Sequence, residues 1–181
     1  MQYLAKSEVA KLFRAAHDAN KSHHMAMLCE FFLGTRISQV LNICGEDVFQ
    51  QDGRWVVLIR AAKRGNQAVR ALHVDDDPAF DMTPLIALAK TKGRSLIFGG
   101  LTRQYINLCM KRYAEAAGIH SSFAHSHVLR HSIAIIVYDV TQRIGAVSEF
   151  LCHKSPSSAF CYLKENDNKL AQSAVDELQL A

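Results

Sequence analysis

"HSHVLRHSIA", residues 125–134, places three histidines around one arginine at the start of an apolar run. The pattern predicts a helix over residues 127–139, on which His127 and Arg130 lie three residues apart and share one face. A metal site is disfavoured here, because the permanent positive charge of Arg130 would repel a cation. Taken alone, the segment fits either a functional cluster or a helix with one buried histidine and one surface arginine.

The rest of the chain predicts further helices and one β-hairpin. Two β-prone runs, "RWVVLIR" (54–60) and "VRALHV" (69–74), are separated by a segment whose Gly65-Asn66 pair supplies turn chemistry. We therefore expect an α+β fold, mainly α-helical, with one small antiparallel β-sheet. The other expected helices cover about residues 7–20, 23–33, 37–43, 102–117, 143–151, 156–164 and 167–179, and one more begins at Thr83-Pro84.

Length and composition limit the class of protein. A chain of 181 residues with 49% hydrophobic and 21% charged residues suits one globular domain. Its apolar runs are shorter than the roughly 20 residues of a membrane span, and its first residues show no secretory signal. Five cysteines without a C-x-x-C pair argue against a disulfide framework and a zinc ribbon. We expect a cytoplasmic protein with no membrane partner.

The formal net charge is +4, and the basic residues are clustered. One cluster lies within residues 54–70 and another within residues 90–112, whereas many of the acidic residues lie at 75–77 and in the C-terminal segment. Clusters of this kind suit a polyanionic partner such as nucleic acid. Solvated faces with long basic side chains are the alternative, and charge alone does not decide between the two.

Several side chains outside the opening segment suit phosphoryl transfer without a metal ion. Arg36 begins a short helix, Lys63 lies at the hairpin tip, and a later segment carries His153 and Tyr162. Two guanidiniums can hold the non-bridging oxygens of a phosphodiester and oppose the charge of the transition state. A tyrosine hydroxyl can attack phosphorus, while a lysine and an imidazole can transfer protons. Each chemical role therefore has a candidate.

These segments resemble the catalytic domain of the tyrosine recombinases, also called phage integrases, over nearly the whole chain. "GTRISQVL" matches the first arginine motif of that family, and "HVLRH" matches its histidine-x-leucine-arginine-histidine motif. The family's closing pattern of leucine, glycine, histidine, serine and tyrosine matches at Leu151, His153, Ser155 and Tyr162. Three motifs in this order are far more specific than any one of them.

The resemblance implies DNA strand transfer through a covalent intermediate. Tyr162 would attack the scissile phosphate and form a 3′-phosphotyrosine link to one strand. Arg36 and Arg130 would clamp that phosphate, and His153 would hydrogen-bond it. Because the covalent link conserves the energy of the phosphodiester, a 5′ hydroxyl from another strand can reseal it with no cofactor and no metal ion.

The other implied roles concern proton transfer. Lys63 would protonate the departing 5′ oxygen, and His127 would act as general acid/base. Two positions depart from the family's pattern, since Gln39 stands where an acid supports the first arginine and Cys152 replaces a glycine. An amide keeps a hydrogen-bond acceptor but loses the assistance of the charge, and a positive φ would strain Cys152.

The resemblance also implies the biological setting. Double-stranded DNA is the expected partner, bound by a homo-oligomer, a tetramer, on paired sites in a prokaryotic, phage or mobile-element context. Residues 1–181 are expected to form a single catalytic domain, without the N-terminal core-binding domain that most members carry. Two other functions stay open: a tyrosine-type DNA topoisomerase that uses the same residues, and a catalytically silent DNA-binding or regulatory module.

Overall fold

A computed structural model describes residues 3–60 and 67–153 of the chain. Within these ranges the fold is mainly helical with one small sheet, as the sequence predicts. Two short 3-10 segments, Gly45–Asp47 and Ser121–Phe123, accompany the longer helices. The α-helices are α1 (Lys6–Ala19), α2 (Lys21–Phe32), α3 (Ile37–Val40), α4 (Pro84–Lys92), α5 (Arg103–Ala116), α6 (Ser126–Thr141) and α7 (Ile144–Phe150).

The first two helices form where apolar spacing and capping favour them. Val9, Leu12, Phe13 and Ala16 lie on one buried stripe of α1. The side chain of Asn20 accepts hydrogen bonds from the first amides of α2, which caps that helix. None of the helices within the described ranges is long and apolar enough to cross a membrane. The helices expected at 156–164 and 167–179 lie outside the described residues.

The sheet has three antiparallel strands in the order β1-β2-β3. Strand β2 (Arg54–Ile59) pairs with β3 (Ala68–Ala71), which confirms the expected hairpin. Strand β1 (Val48–Gln51) was not expected, because only its first residue is buried and it shows no apolar alternation. Asp52 and Gly53, with φ of +51° and +76°, make the tight turn that pairs it with β2.

Helix α2 is largely buried and fixes the two arginine segments relative to each other. It contacts α1, α3 and α6. The α3 segment carries Arg36 at its start, and α6 carries His127 and Arg130. The side chains of Met27 on α2 and Leu129 on α6 are fully buried in one core. Packing of apolar side chains therefore brings two motifs together that are far apart in the chain.

Candidate active site

The loop before Arg36 depends on Gly34. Its φ is +61°, a left-handed conformation that glycine adopts without steric cost. A Cβ at this position would also collide with the ring of Phe150, which follows from the close approach of the two segments. Gly34 is therefore required both for its backbone conformation and for the space that it leaves.

Arg36 stands at the start of α3 with an exposed side chain. Its backbone amide donates to Oε1 of Gln39 at 3.3 Å, and Nε2 of Gln39 donates to the carbonyl of Arg60 at 3.3 Å. The amide thus joins the Arg36 backbone to the end of the hairpin strand β2. A carboxylate could accept the first bond but could not donate the second. Compared with a carboxylate, Gln39 lacks a negative charge, but it connects the Arg36 backbone to the Arg60 carbonyl.

Arg130 is buried, with an exposed fraction of 4%, so it is not the surface arginine of the simpler interpretation. Its Nη1 donates to the carbonyl of Gly34, and its Nη2 donates to the carbonyl of Leu151 at 2.7 Å. The guanidinium therefore joins the Arg36 loop to the segment that leads to His153. This geometry fixes the direction of the guanidinium plane.

His153 follows α7 in a turn held by several contacts. Its amide donates to the carbonyl of Ser148 at 2.9 Å, and its Nδ1 is buried with no hydrogen-bond partner among residues 3–60 and 67–153. Burial, and to a smaller degree the positive charges of Arg130 and Arg36, lower the pKa of His153 to about 4. The imidazole is neutral at neutral pH, with one nitrogen able to donate.

Cys152 adopts the positive φ that was expected to strain it, at +52°. Sterics make this region unfavourable by about 1–2 kcal/mol for a residue with a Cβ. The turn is supported by Arg70 of β3, whose Nη2 donates to the carbonyls of Glu149 and Phe150 at 3.1 and 3.2 Å. Arg70 also lies 3.5 Å from Sγ of Cys152. In the sequence analysis Arg70 was only one member of a basic cluster. Its role in this turn could not be predicted, because its partners are backbone carbonyls, which every residue has.

His127 is exposed on the first turn of α6. Its pKa is lowered first by partial desolvation of the ring by neighbouring atoms, and then by the charges of His125, Arg130 and Arg36. Arg36 and Arg130 thus act electrostatically on both His127 and His153. The structure brings four of the six predicted site residues into one neighbourhood, while Lys63 and Tyr162 lie outside the described residues.

The described cysteines and other potential ligands do not assemble into a metal site. Cys29, Cys44, Cys109 and Cys152 are free thiols. Within residues 3–60 and 67–153 no group of three or more His, Cys, Asp or Glu side chains could hold a metal ion. The site's chemistry among these residues rests on guanidinium and imidazole groups.

A model of the phage integrase family matches residues 2–169. The chain belongs to the phage integrase family. This membership confirms the resemblance seen in the three sequence motifs. Among curated members, the tyrosine recombinase XerH of Campylobacter jejuni subsp. jejuni serotype O:2 is 23% identical, over 96% of this chain and 51% of its own. The tyrosine recombinase XerA of Thermococcus onnurineus is 24% identical, over 89% of this chain and 57% of its own. This phage integrase family member therefore spans about half the length of these relatives.

Solved structures share the fold of this family member. XerH bound to its difH substrate superposes with a TM-score of 0.74 at 21% identity, over 90% of this chain and 50% of that one. A lambda integrase tetramer bound to a Holliday junction gives a TM-score of 0.65 at 20% identity, over 89% and 47% of the two chains. The catalytic domain of bacteriophage HP1 integrase gives a TM-score of 0.65 at 17% identity, over 91% of this chain and 88% of that one.

Proposed function

We propose that this chain is the catalytic domain of a site-specific DNA recombinase, which cuts and rejoins strands through a 3′-phosphotyrosine intermediate. The observation that supports it most is that Arg130 donates to the carbonyl of Gly34, in the loop before Arg36, and to the carbonyl of Leu151, in the segment before His153. His127 lies on the same helix as Arg130. Membership of the phage integrase family supports the same chemistry. The match to nearly all of the HP1 catalytic domain supports a single catalytic domain over residues 1–181.

The two arginines bind the scissile phosphate in different ways. Arg130 is oriented by the carbonyls of Gly34 and Leu151 before DNA arrives, so little reorganisation is needed at the moment of reaction. Arg36 is exposed, and its backbone is fixed while its side chain extends to solvent. Together they oppose the negative charge that builds on the non-bridging oxygens.

The imidazoles serve hydrogen bonding and proton transfer. A neutral His153 donates to a phosphate oxygen. His127, whose pKa is also lowered, is in its basic form at neutral pH and accepts a proton. An anionic phosphate bound beside them raises both pKa values, which makes each imidazole a stronger proton acceptor once the substrate is bound.

The covalent step uses the two residues outside the described ranges. The phenol oxygen of Tyr162 attacks phosphorus and forms the new P–O bond, with His127 accepting the phenol proton. The bond to the 5′ oxygen breaks, and Lys63 supplies the proton to that leaving oxygen. Attack by a 5′ hydroxyl from another strand reverses these steps. The reaction conserves its bond energy, so the proposal includes no cofactor and no metal ion.

The proposed partner is double-stranded DNA, bound by a homo-tetramer on paired sites. The structural neighbours include recombinases bound to DNA and a tetramer on a Holliday junction. The basic clusters of this chain fit the same partner, and the net charge is +4. We place the reaction in the cytoplasm of a prokaryotic cell, where phage or mobile-element DNA is accessible.

A nicked suicide substrate tests this function. Because the target site is unidentified, a pool of nicked duplexes with randomised arms is the probe. The wild-type chain becomes covalently attached to DNA after denaturation, whereas Tyr162→Phe binds the pool and attaches to none. Relaxation of a supercoiled plasmid without recombined product would instead indicate a topoisomerase. Normal binding with no attachment by the wild type would indicate a silent DNA-binding module.

A further inference from the structure

Glu30 is a fully buried acid on α2 that the proposed reaction does not use. Its exposed fraction is 0%, and it lies in the apolar run "MAMLCEFFL". Burying a carboxyl group is unfavourable unless it forms specific hydrogen bonds. Its position in the core therefore calls for a structural role that an apolar residue could not fill.

The hydrogen bonds of Glu30 flank Arg36 on both sides. The backbone carbonyl of Glu30 accepts from the amide of Thr35 at 3.2 Å. Its carboxyl Oε1 accepts from the amide of Ile37 at 3.0 Å. The amide between them, that of Arg36, donates to Gln39. Three consecutive amides are thus held, two of them by one residue.

The Ile37 amide needs an acceptor that its own segment does not provide. Ile37 is the first residue of α3, and the preceding residue, Arg36, occupies the N-cap position. The first four amides of a helix have no acceptor within that helix, and an N-cap side chain serves the amide of the second or third helical residue, not the first. Glu30 supplies the missing acceptor from the neighbouring helix.

The electrostatic setting of Glu30 agrees with this hydrogen-bonding role. Burial raises the pKa of its carboxyl well above the usual range, and the nearby guanidinium of Arg130 acts in the opposite direction with a smaller effect. The second oxygen, Oε2, has no hydrogen-bond partner among the described residues. An amide in place of the carboxyl would keep the one acceptor that is used.

We propose that Glu30 is a positioning residue for Arg36, which fixes the backbone on either side of that arginine and so sets where its guanidinium meets the scissile phosphate. The effect on catalysis rests on the proposed recombinase function. The effect on the backbone does not. Misplacement of a catalytic group by about 1 Å can reduce a rate about 100-fold.

The test compares two substitutions of similar size. Glu30→Gln keeps the acceptor for Ile37, and Glu30→Met removes it. Met27→Ala, a fully buried change on the same helix, is the control for lost stability alone. The measurements are the rate of covalent attachment at saturating DNA, the dissociation constant for DNA, and hydrogen exchange of the Ile37 amide. All are made at a temperature where the three variants are folded.

We expect Glu30→Met to lower the attachment rate by about 10- to 100-fold, with a smaller change in the dissociation constant and faster exchange at Ile37. Glu30→Gln should restore both the rate and the exchange to near the wild-type values. Met27→Ala should lower the melting temperature and keep the rate. If Glu30→Met does not fold, Glu30→Asp, which withdraws the carboxyl from Ile37, is read in the same way.

A wild-type rate in Glu30→Met, or an equal loss in Met27→Ala at the same melting temperature, overturns the positioning role. So does unchanged exchange at Ile37 in Glu30→Met or Glu30→Asp. If the wild-type chain attaches to no DNA, the proposed function fails on its own. The exchange measurement then still decides whether Glu30 holds the Arg36 segment.

Discussion

The Gly34 loop and the Cys152 turn each place one residue in the left-handed region, with φ of +61° and +52°. Arg130 donates to a carbonyl in both, at Gly34 itself and at Leu151 beside Cys152. The surroundings differ. A Cβ at Gly34 would meet the ring of Phe150, whereas Cys152 borders a cavity of about 550 Å³. The comparison shows that a positive φ alone does not demand glycine, while a positive φ with a close neighbour does.

Loss of Arg130 should have the largest effect, because this residue donates hydrogen bonds to both the Gly34 loop and the Cys152 turn. Arg130→Met leaves the buried carbonyls of Gly34 and Leu151 without their donor, at about 1–3 kcal/mol each. It also removes a proposed phosphate ligand, which should lower covalent attachment about 100- to 1,000-fold. Urea unfolding and the suicide substrate measure the two effects. An unchanged free energy of unfolding would show that Arg130 does not join the segments.

The Gly34 side of the comparison is tested by Gly34→Ala. The left-handed backbone should cost about 1–2 kcal/mol, and the collision with Phe150 about 1–3 kcal/mol more. Gly118→Ala is the matched control, since Gly118 has a φ of +68° and open space around it. Thermal or urea unfolding gives both values. Equal losses of unfolding free energy in the two variants would show that the collision with Phe150 does not contribute.

The support of the Cys152 turn is tested by Arg70→Met. The variant loses donors to the carbonyls of Glu149 and Phe150 at the end of α7. We expect a loss of about 1–2 kcal/mol in the free energy of unfolding and a roughly tenfold slower attachment to DNA, because the His153 turn loosens. Arg54→Met, an exposed change on β2, is the control and should stay within about 0.5 kcal/mol. Identical behaviour of the two variants would contradict the capping role.

The neutral state of His153 predicts a dependence of stability on pH. Its folded pKa is about 4, below the unfolded value of about 6.5. Between these two pH values the unfolded chain binds more protons than the folded chain does. The contribution of neutral His153 to the free energy of unfolding is therefore fully present above pH 6.5 and is lost as the pH falls towards 4. His131, with a pKa also lowered to about 4, acts in the same direction. His153→Gln should reduce the slope of unfolding free energy against pH, and an unchanged slope would contradict the shift.

The smallest expected effect is at Cys152 itself. Cys152→Gly relieves a left-handed strain of about 1–2 kcal/mol, and the greater freedom of glycine in the unfolded chain offsets about 0.5–1 kcal/mol of it. The contact of Sγ with Arg70 at 3.5 Å is also lost. We expect a net gain of about 0.5 kcal/mol by urea unfolding. A clear loss would mean that the thiol contact outweighs the strain.

The sequence predicted the family, and it predicted the helices within residues 3–60 and 67–153, because both depend on local patterns. The spacing of His127 and Arg130 correctly placed them on one helix, but it did not show that Arg130 is buried and His127 exposed. Spacing fixes where a Cβ lies, whereas the long arginine side chain reaches carbonyls of other segments. Strand β1 was missed for a related reason, since its polar residues carry no apolar alternation.

Contacts between side chains and distant backbone atoms were beyond sequence reasoning. Glu30, Gln39 and Arg70 all act through main-chain amides or carbonyls. Every residue has these groups, so a partner of this kind leaves no mark in the sequence around it. Gln39 was expected to keep an acceptor and to lose charge assistance, whereas the hydrogen bond that it donates to the Arg60 carbonyl is visible only in the structure.

The turn at His153 is held by Arg130, by Arg70 and by the carbonyl of Ser148. This anchoring makes the position directly after it a natural junction for building chimeras. We expect that the segment that follows can be exchanged for that of another integrase while the hydrogen bonds of Arg130 and Arg70 to this turn are kept. Donor segments could then be compared on one constant scaffold, which would separate the contribution of the proposed nucleophile from that of the proposed phosphate ligands.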